Sequence, residues 1–191
     1  KTQTLIDKYQ SIKQGMMHDL FTQGVDENGK LRPTHEEAPH LYKESELGWI
    51  PKEWDCGTID DFCEIHNHLR KPISEEERGK IKGDYPYYGC TGVLGYINEC
   101  RVDGQCVLSG EDGDHFLKFN TQNQTLLLDG KYNVNNHAHI LKGKLDCMTE
   151  WIHTFFVLRD ITFYLTRQGA GRFKLNKATL ITMLMLKPPK A

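Results

Sequence analysis

The sequence predicts an α+β protein: a mixed, strand-rich domain with short helices, preceded by one helix of coiled-coil type. Three observations carry that expectation. An apolar stripe at helical spacing runs over residues 5–21, short apolar runs set off by turn residues fill the centre, and longer apolar stretches return after Met148. The expected division is a helix over 1–24, a strap over 25–53 and a domain over 54–191.

In the first segment Leu5, Tyr9, Ile12 and Met16 step by four, three and four, and Leu20 continues the stripe. Polar residues fill the positions between, and Gly24 suits a helix end. Such a stripe needs burial, either on its own domain or, as the narrow heptad-like spacing favours, on a partner helix. In the strap, Asn28-Gly29 marks a tight turn and Pro33, Pro39 and Pro51 interrupt regular structure. Leu47, Trp49, Ile50 and Trp54 are apolar enough to dock the strap on the adjoining domain. Strands are expected around Tyr85–Gly89, Gln105–Gly110, Thr125–Leu128 and Ala138–Leu141, and one or two helices within Met148–Leu165. A further short helix starts near Asn176, its N-cap, ahead of Leu184-Met185-Leu186 and Pro188-Pro189.

Composition removes several function classes. A mean hydropathy of −0.58 and the lack of any long apolar run exclude a spanning helix. The start, Lys1-Thr2-Gln3-Thr4, has no signal-peptide core and no Met, which points to a piece of a longer chain. None of the six cysteines pairs at C-x-x-C spacing, so they read as reduced small hydrophobes of a cytoplasmic protein rather than zinc ligands. Phosphate-loop and dinucleotide fingerprints are absent. The net charge of −2 is not that of a nonspecific nucleic-acid binder, but residues 159–191 hold seven basic residues and one acidic. Any phosphate contact is therefore expected near Arg167, Arg172, Lys174 and Lys177.

Three segments have side chains suited to chemistry. Gly110-Glu111-Asp112-Gly113-Asp114-His115 groups carboxylates with a histidine, but lacks the ligand spacing of a calcium loop. In Asn133–His139, asparagine suits adenine and histidine suits guanine or phosphate. On a strand His137 and His139 would share a face. The alternative is that these groups satisfy backbone at a strand entry. Gln168–Asn176 joins glycines, Arg172, Lys174 and Phe173 ahead of a helix cap, where a duplex backbone can approach closely; the alternative is a solvated loop.

Several of these stretches resemble one family. Leu5–Phe21 is similar to the end of the central spacer helix of type I restriction-modification specificity subunits. Leu31-Arg32-Pro33 and Tyr42–Trp54 resemble the strap entering their second target recognition domain. Gly95-Tyr96-Ile97, Gly110–Gly113, Val134–His139, Gln168–Asn176 and Pro188-Pro189 resemble that domain itself, so the resemblance spans nearly the whole chain. Arg172-Phe173 departs from the polar residue of many relatives, and Lys190 from the usual apolar residue after the prolines.

The resemblance implies a non-catalytic subunit that reads one half of a split double-stranded DNA target. The residues expected at DNA are Tyr88, Thr91, Glu111, Asp112, Asn135, Asn136, His137, Arg172 and Lys174. Leu5, Tyr9, Ile12, Met16 and Leu20 are expected to face a distal spacer helix, beginning just after Pro189, or a second copy of the chain. The other implied partners are a methyltransferase subunit and, through the complex, a restriction subunit. No cofactor is expected on this chain, S-adenosylmethionine and ATP belonging to the partners. Two rivals are a metal-dependent hydrolase and an assembly module that does not read DNA.

Overall fold

In the computed structural model, which describes residues 2–168 and 172–190, the chain forms two compact units. The first runs to Gly57 and takes in Leu186–Pro189. It opens with α1 (Thr2–Thr22), none of whose residues is buried. The helix ends where Gly24 takes a φ of +64°, and a Cβ there would also run into Arg32 and Trp54. Glycine meets both demands at once. The expected turn at Asn28-Gly29 closes a small loop, Asp26 N–H donating to the Lys30 carbonyl at 2.7 Å.

The strap is more ordered than its prolines suggest. β1 (Tyr42–Ser45) and β2 (Gly48–Pro51) pair antiparallel, Tyr42 opposite Pro51 and Ser45 opposite Gly48. Tyr42, Ile50 and Trp54 are buried, and His35 stacks on Trp49 with centroids 4.0 Å apart. β3 (Asp55–Thr58) comes next, and Lys187 reaches Asp55 at 3.0 Å.

The second unit, Thr58–Met185, is built on two four-stranded sheets. It opens with α2 (Ile59–Phe62), whose Thr58 and Asp61 form a capping box, then β4 (Cys63–Ile65). α3 (Glu75–Lys80) carries the same device on Ser74 and Glu77. β5 (Tyr85–Tyr88), β6 (Val93–Ile97), β7 (Val102–Asp103), β8 (Cys106–Gly110), β9 (Thr125–Leu128), β10 (Lys131–Val134) and β11 (Ala138–Gly143) complete the sheets. Their orders are β6-β5-β10-β7 and β4-β11-β8-β9; only β10 and β5 pair in parallel.

The sheets meet face to face. Val102, Tyr132 and Val134 of the first interleave with Cys106, Leu108, Ala138 and Ile140 of the second in one buried cluster. The opposite face of the second sheet is covered by α4 (Thr149–Phe155), which buries Ile152 and Phe155. β8 is therefore buried on both faces, which explains why Cys106-Val107-Leu108 reads as a continuous apolar run. β12 (Thr166–Gln168) and β13 (Arg172–Lys174) form a hairpin, followed by α5 (Lys177–Thr182) on its Asn176 cap and β14 (Leu184–Lys187). Gly169, Ala170 and Gly171 of the expected contact segment lie outside the described residues. Among those described, no helix is long and apolar enough to cross a membrane, and no three His, Cys, Asp or Glu residues group as metal ligands.

Candidate nucleic-acid interface

β10 and β11 are consecutive in sequence but lie in different sheets, so Asn135, Asn136 and His137 must cross at the rim where the sheets meet. Three other segments are tied to that crossing. Asn135 N–H donates to the Tyr88 carbonyl at 2.9 Å, which sets the 89–92 turn beside it. Glu111 N–H donates to the His137 carbonyl at 2.8 Å, and Leu175 N–H to the Glu111 carbonyl at 2.9 Å. Gly113 N–H reaches the Phe173 carbonyl at 3.1 Å. Gly110 allows the turn out of β8 because a Cβ there would run into the His115 ring. Segments far apart in sequence thus converge on one rim.

A charge network holds them together. Arg70 donates through Nη1 to Glu111 Oε2 at 2.6 Å and to the Asn136 carbonyl at 3.1 Å, and through Nε to the Asn67 carbonyl at 3.3 Å. Lys174 Nζ lies 3.5 Å from Glu111 Oε1 and 4.0 Å from Asp112 Oδ1. Asp112 Oδ2 faces His137 Nδ1 at 2.8 Å. Beneath them His139 is buried, its Nε2 on the Leu175 carbonyl and its Nδ1 on the Asn67 amide. Burial holds the His139 imidazole below its usual pKa, so the buried ring is neutral. Two cations and two carboxylates cancel within the network, which pins the loops.

The expected DNA-facing residues divide by what they do here. Thr91, Asn136, His137 and Arg172 are exposed. Four others are engaged within the protein in this structure. Glu111 is occupied by Arg70 and Lys174, with a side chain only 16% exposed. Lys174 spends its charge on the two carboxylates. Asn135 is buried and its Oδ1 accepts from His137 N–H at 2.9 Å. Tyr88 packs on the core cluster, edge-on to Tyr132 at 5.8 Å. Asp112 is half-buried and orients His137. His137 and His139 do not share a strand face, because β11 begins at Ala138.

Part of the basic tail is engaged within the protein. Arg159 lies over the Phe155 ring at 3.8 Å and donates to its carbonyl, and burial lowers its pKa to about 10. Arg167 stacks on Phe173 at 4.8 Å, and Lys187 pairs with Asp55. Arg167, Arg172 and Lys177 are exposed cations of this stretch. Arg70 is the member of the charge network that sequence reasoning misses. It stands in a short 3-10 turn region with no motif around it, and its partners are 41 and 66 residues away.

The sequence model of the type I restriction modification DNA specificity domain matches residues 51–183. The chain belongs to this family. Among curated proteins this specificity-domain chain is similar to S.HindORF215P of Haemophilus influenzae, assigned as a type I restriction enzyme specificity subunit. They are 31% identical over 149 residues, 78% of this chain and 35% of that protein. The specificity domain thus spans about a third of the length of that relative. Among solved structures it resembles the S subunit of a type I restriction-modification system from M. genitalium, with a TM-score of 0.53 and 14% identity. That match covers 70% of this chain and 34% of the other. The HsdS subunit from Thermoanaerobacter tengcongensis matches over 98% of this chain and 43% of its own, at a TM-score of 0.52 and 10% identity. A chain from a structure of type I restriction-modification complex assembly covers 97% and 43%, at 0.54 and 10%. At these identities the structural likeness concerns the fold, and it agrees with the mixed, strand-rich architecture expected from the sequence.

Proposed function

We propose that the second unit is a target recognition domain reading one half of a bipartite double-stranded DNA site for a type I restriction-modification complex. The observation that carries this is the convergence of the 88–92, 111–113, 135–137 and 172–175 segments on one rim. Exposed Thr91, Asn136, His137 and Arg172 stand there on a network that fixes their backbones. Such an arrangement suits base-edge readout, which needs rigid placement of a few donors and acceptors. The chain contributes recognition and no catalysis. S-adenosylmethionine and ATP would be bound by the methyltransferase and restriction subunits.

In this reading the domain is the second of two in its subunit, and α1 is the end of the central spacer. Leu5, Tyr9, Ile12, Met16 and Leu20 are 40–63% exposed, and we assign them to a distal spacer helix or a second copy of the chain. An apolar stripe at that spacing wants a partner helix. The test is selection of a randomised duplex library by the chain with its methyltransferase subunit, followed by sequencing. A half-site of about three to five base pairs should be enriched, and Asn136→Ala or Arg172→Ala should relax it. A complex that assembles but enriches no sequence refutes the reading and leaves an assembly module.

A further inference from the structure

His137 is held at three points. Its N–H donates to Asn135 Oδ1 at 2.9 Å, its carbonyl accepts from Glu111 N–H at 2.8 Å, and its ring Nδ1 lies 2.8 Å from Asp112 Oδ2. Asp112 is held in turn, since its backbone bridges to Lys174 and its other carboxylate oxygen faces the Lys174 ammonium. An ionised carboxylate only accepts, so the nitrogen facing it carries the ring proton. In the neutral imidazole the other nitrogen is then a bare acceptor. The His137 side chain is 52% exposed, and Nε2 has no partner among the described residues. His139 carries the opposite tautomer. Its Nε2 must donate to the Leu175 carbonyl while Nδ1 accepts from Asn67, and both nitrogens are used inside the protein. The rim thus presents one imidazole lone pair at a fixed place.

We infer that His137, oriented by Asp112, is a specificity-determining residue that accepts a hydrogen bond from an exocyclic amino group, adenine N6 or cytosine N4, on the major-groove edge of one target base. This rests on the reading of the rim as the DNA face. Guanine N7 and O6 and thymine O4 are acceptors, so either base would set lone pair against lone pair. A phosphate oxygen would meet the same refusal. Placing the lone pair on a clamped loop makes discrimination at this base a matter of proton position rather than of charge.

The test uses the full chain with its methyltransferase subunit at about pH 8. Library selection with the unaltered protein gives the half-site, and the same selection with His137→Ala and Asp112→Asn locates the base concerned. In Asp112→Asn the amide NH₂ can donate to Nδ1, which moves the ring proton to Nε2 and turns the acceptor into a donor. One base pair should lose its preference roughly tenfold in both variants while the others persist. A second measurement needs no folded variant. Each adenine or cytosine of the half-site is replaced in turn by purine or pyrimidin-2-one, which lack the amino group, and one replacement should weaken binding by the unaltered protein roughly tenfold. If no replacement on either strand weakens binding, or if the one that does lies at a base pair other than the one lost in His137→Ala, the inference falls while the recognition reading stands. No enriched half-site with the unaltered protein overturns both.

Discussion

Replacing Arg70 by Met tests the network most directly. Arg70 and Glu111 meet at 2.6 Å with side chains 21% and 16% exposed. At an effective dielectric of ~20 their gross attraction is about 6 kcal/mol, most of which desolvation offsets. Removing one partner of a buried pair typically costs ~3–5 kcal/mol because the other charge is stranded. Here Glu111 keeps Lys174 at 3.5 Å, and the Asn136 carbonyl is at the surface and regains water. The loss should therefore fall to about 2–3 kcal/mol, which at ~3 °C per kcal/mol lowers Tm by about 6–9 °C. Urea and thermal unfolding of Arg70→Met, Glu111→Gln and the double variant would give the coupling energy, expected at about 1–2 kcal/mol. Additivity within ~0.5 kcal/mol, or a single-variant loss under ~1 kcal/mol, would show that Arg70 does not hold the rim together.

Acid should loosen the second unit. Burial lowers the imidazole pKa of His115, His139 and His153 below 6.5, so the unfolded chain binds protons that the folded one refuses. Stability is full above pH ~6.5 and falls as pH drops below it; a Tm unchanged from pH 8 to pH 5 would contradict this. Gly143→Ala should yield little folded protein, since its Cβ would run into the Cys147 carbonyl backbone, and a near-native melting curve would refute that steric account. Ile12→Glu with Met16→Glu should leave the melting temperature of the isolated chain within about 1 °C, because neither residue is buried. The same pair should abolish association with the partner helix or second copy in sedimentation. Retained association would remove the stripe from the interface.

Elements whose signals are local were legible in the sequence. β8 shows as a continuous apolar run because both its faces are covered, and Asn176 caps α5 by accepting from Thr179 N–H at 2.9 Å, a contact three residues long. The β1–β2 hairpin was not, since Lys43, Glu44 and Ser45 look like linker and the turn depends on Gly48 at a φ of +92°. The candidate rim was half legible. Its segments carry suitable side chains, but only the crossing from one sheet to the other decides which point outward, and Asn135 and Asn136, adjacent in sequence, end with opposite exposure. Arg70 left no trace, because an arginine is a hub only through partners that the fold supplies.

Charge counting misleads at the C-terminal end for the same reason. An excess of cations in one stretch looks like a phosphate-binding patch, yet Arg159 and Arg167 lie on aromatic rings and Lys174 and Lys187 on carboxylates. A strongly cationic rim would hold any duplex, since phosphate contacts are sequence-independent and identical along DNA. Pairing Arg70 and Lys174 with Glu111 and Asp112 reduces that indiscriminate attraction and gives rigidity under Asn136 and His137. On the proposed reading, discrimination depends on where the few side chains of the rim, Asn136, His137 and Arg172 among them, are held. On that reading, pairing Arg70 and Lys174 internally favours selectivity: the less a surface gains from every phosphate, the larger the share of binding that one mismatched base edge can remove.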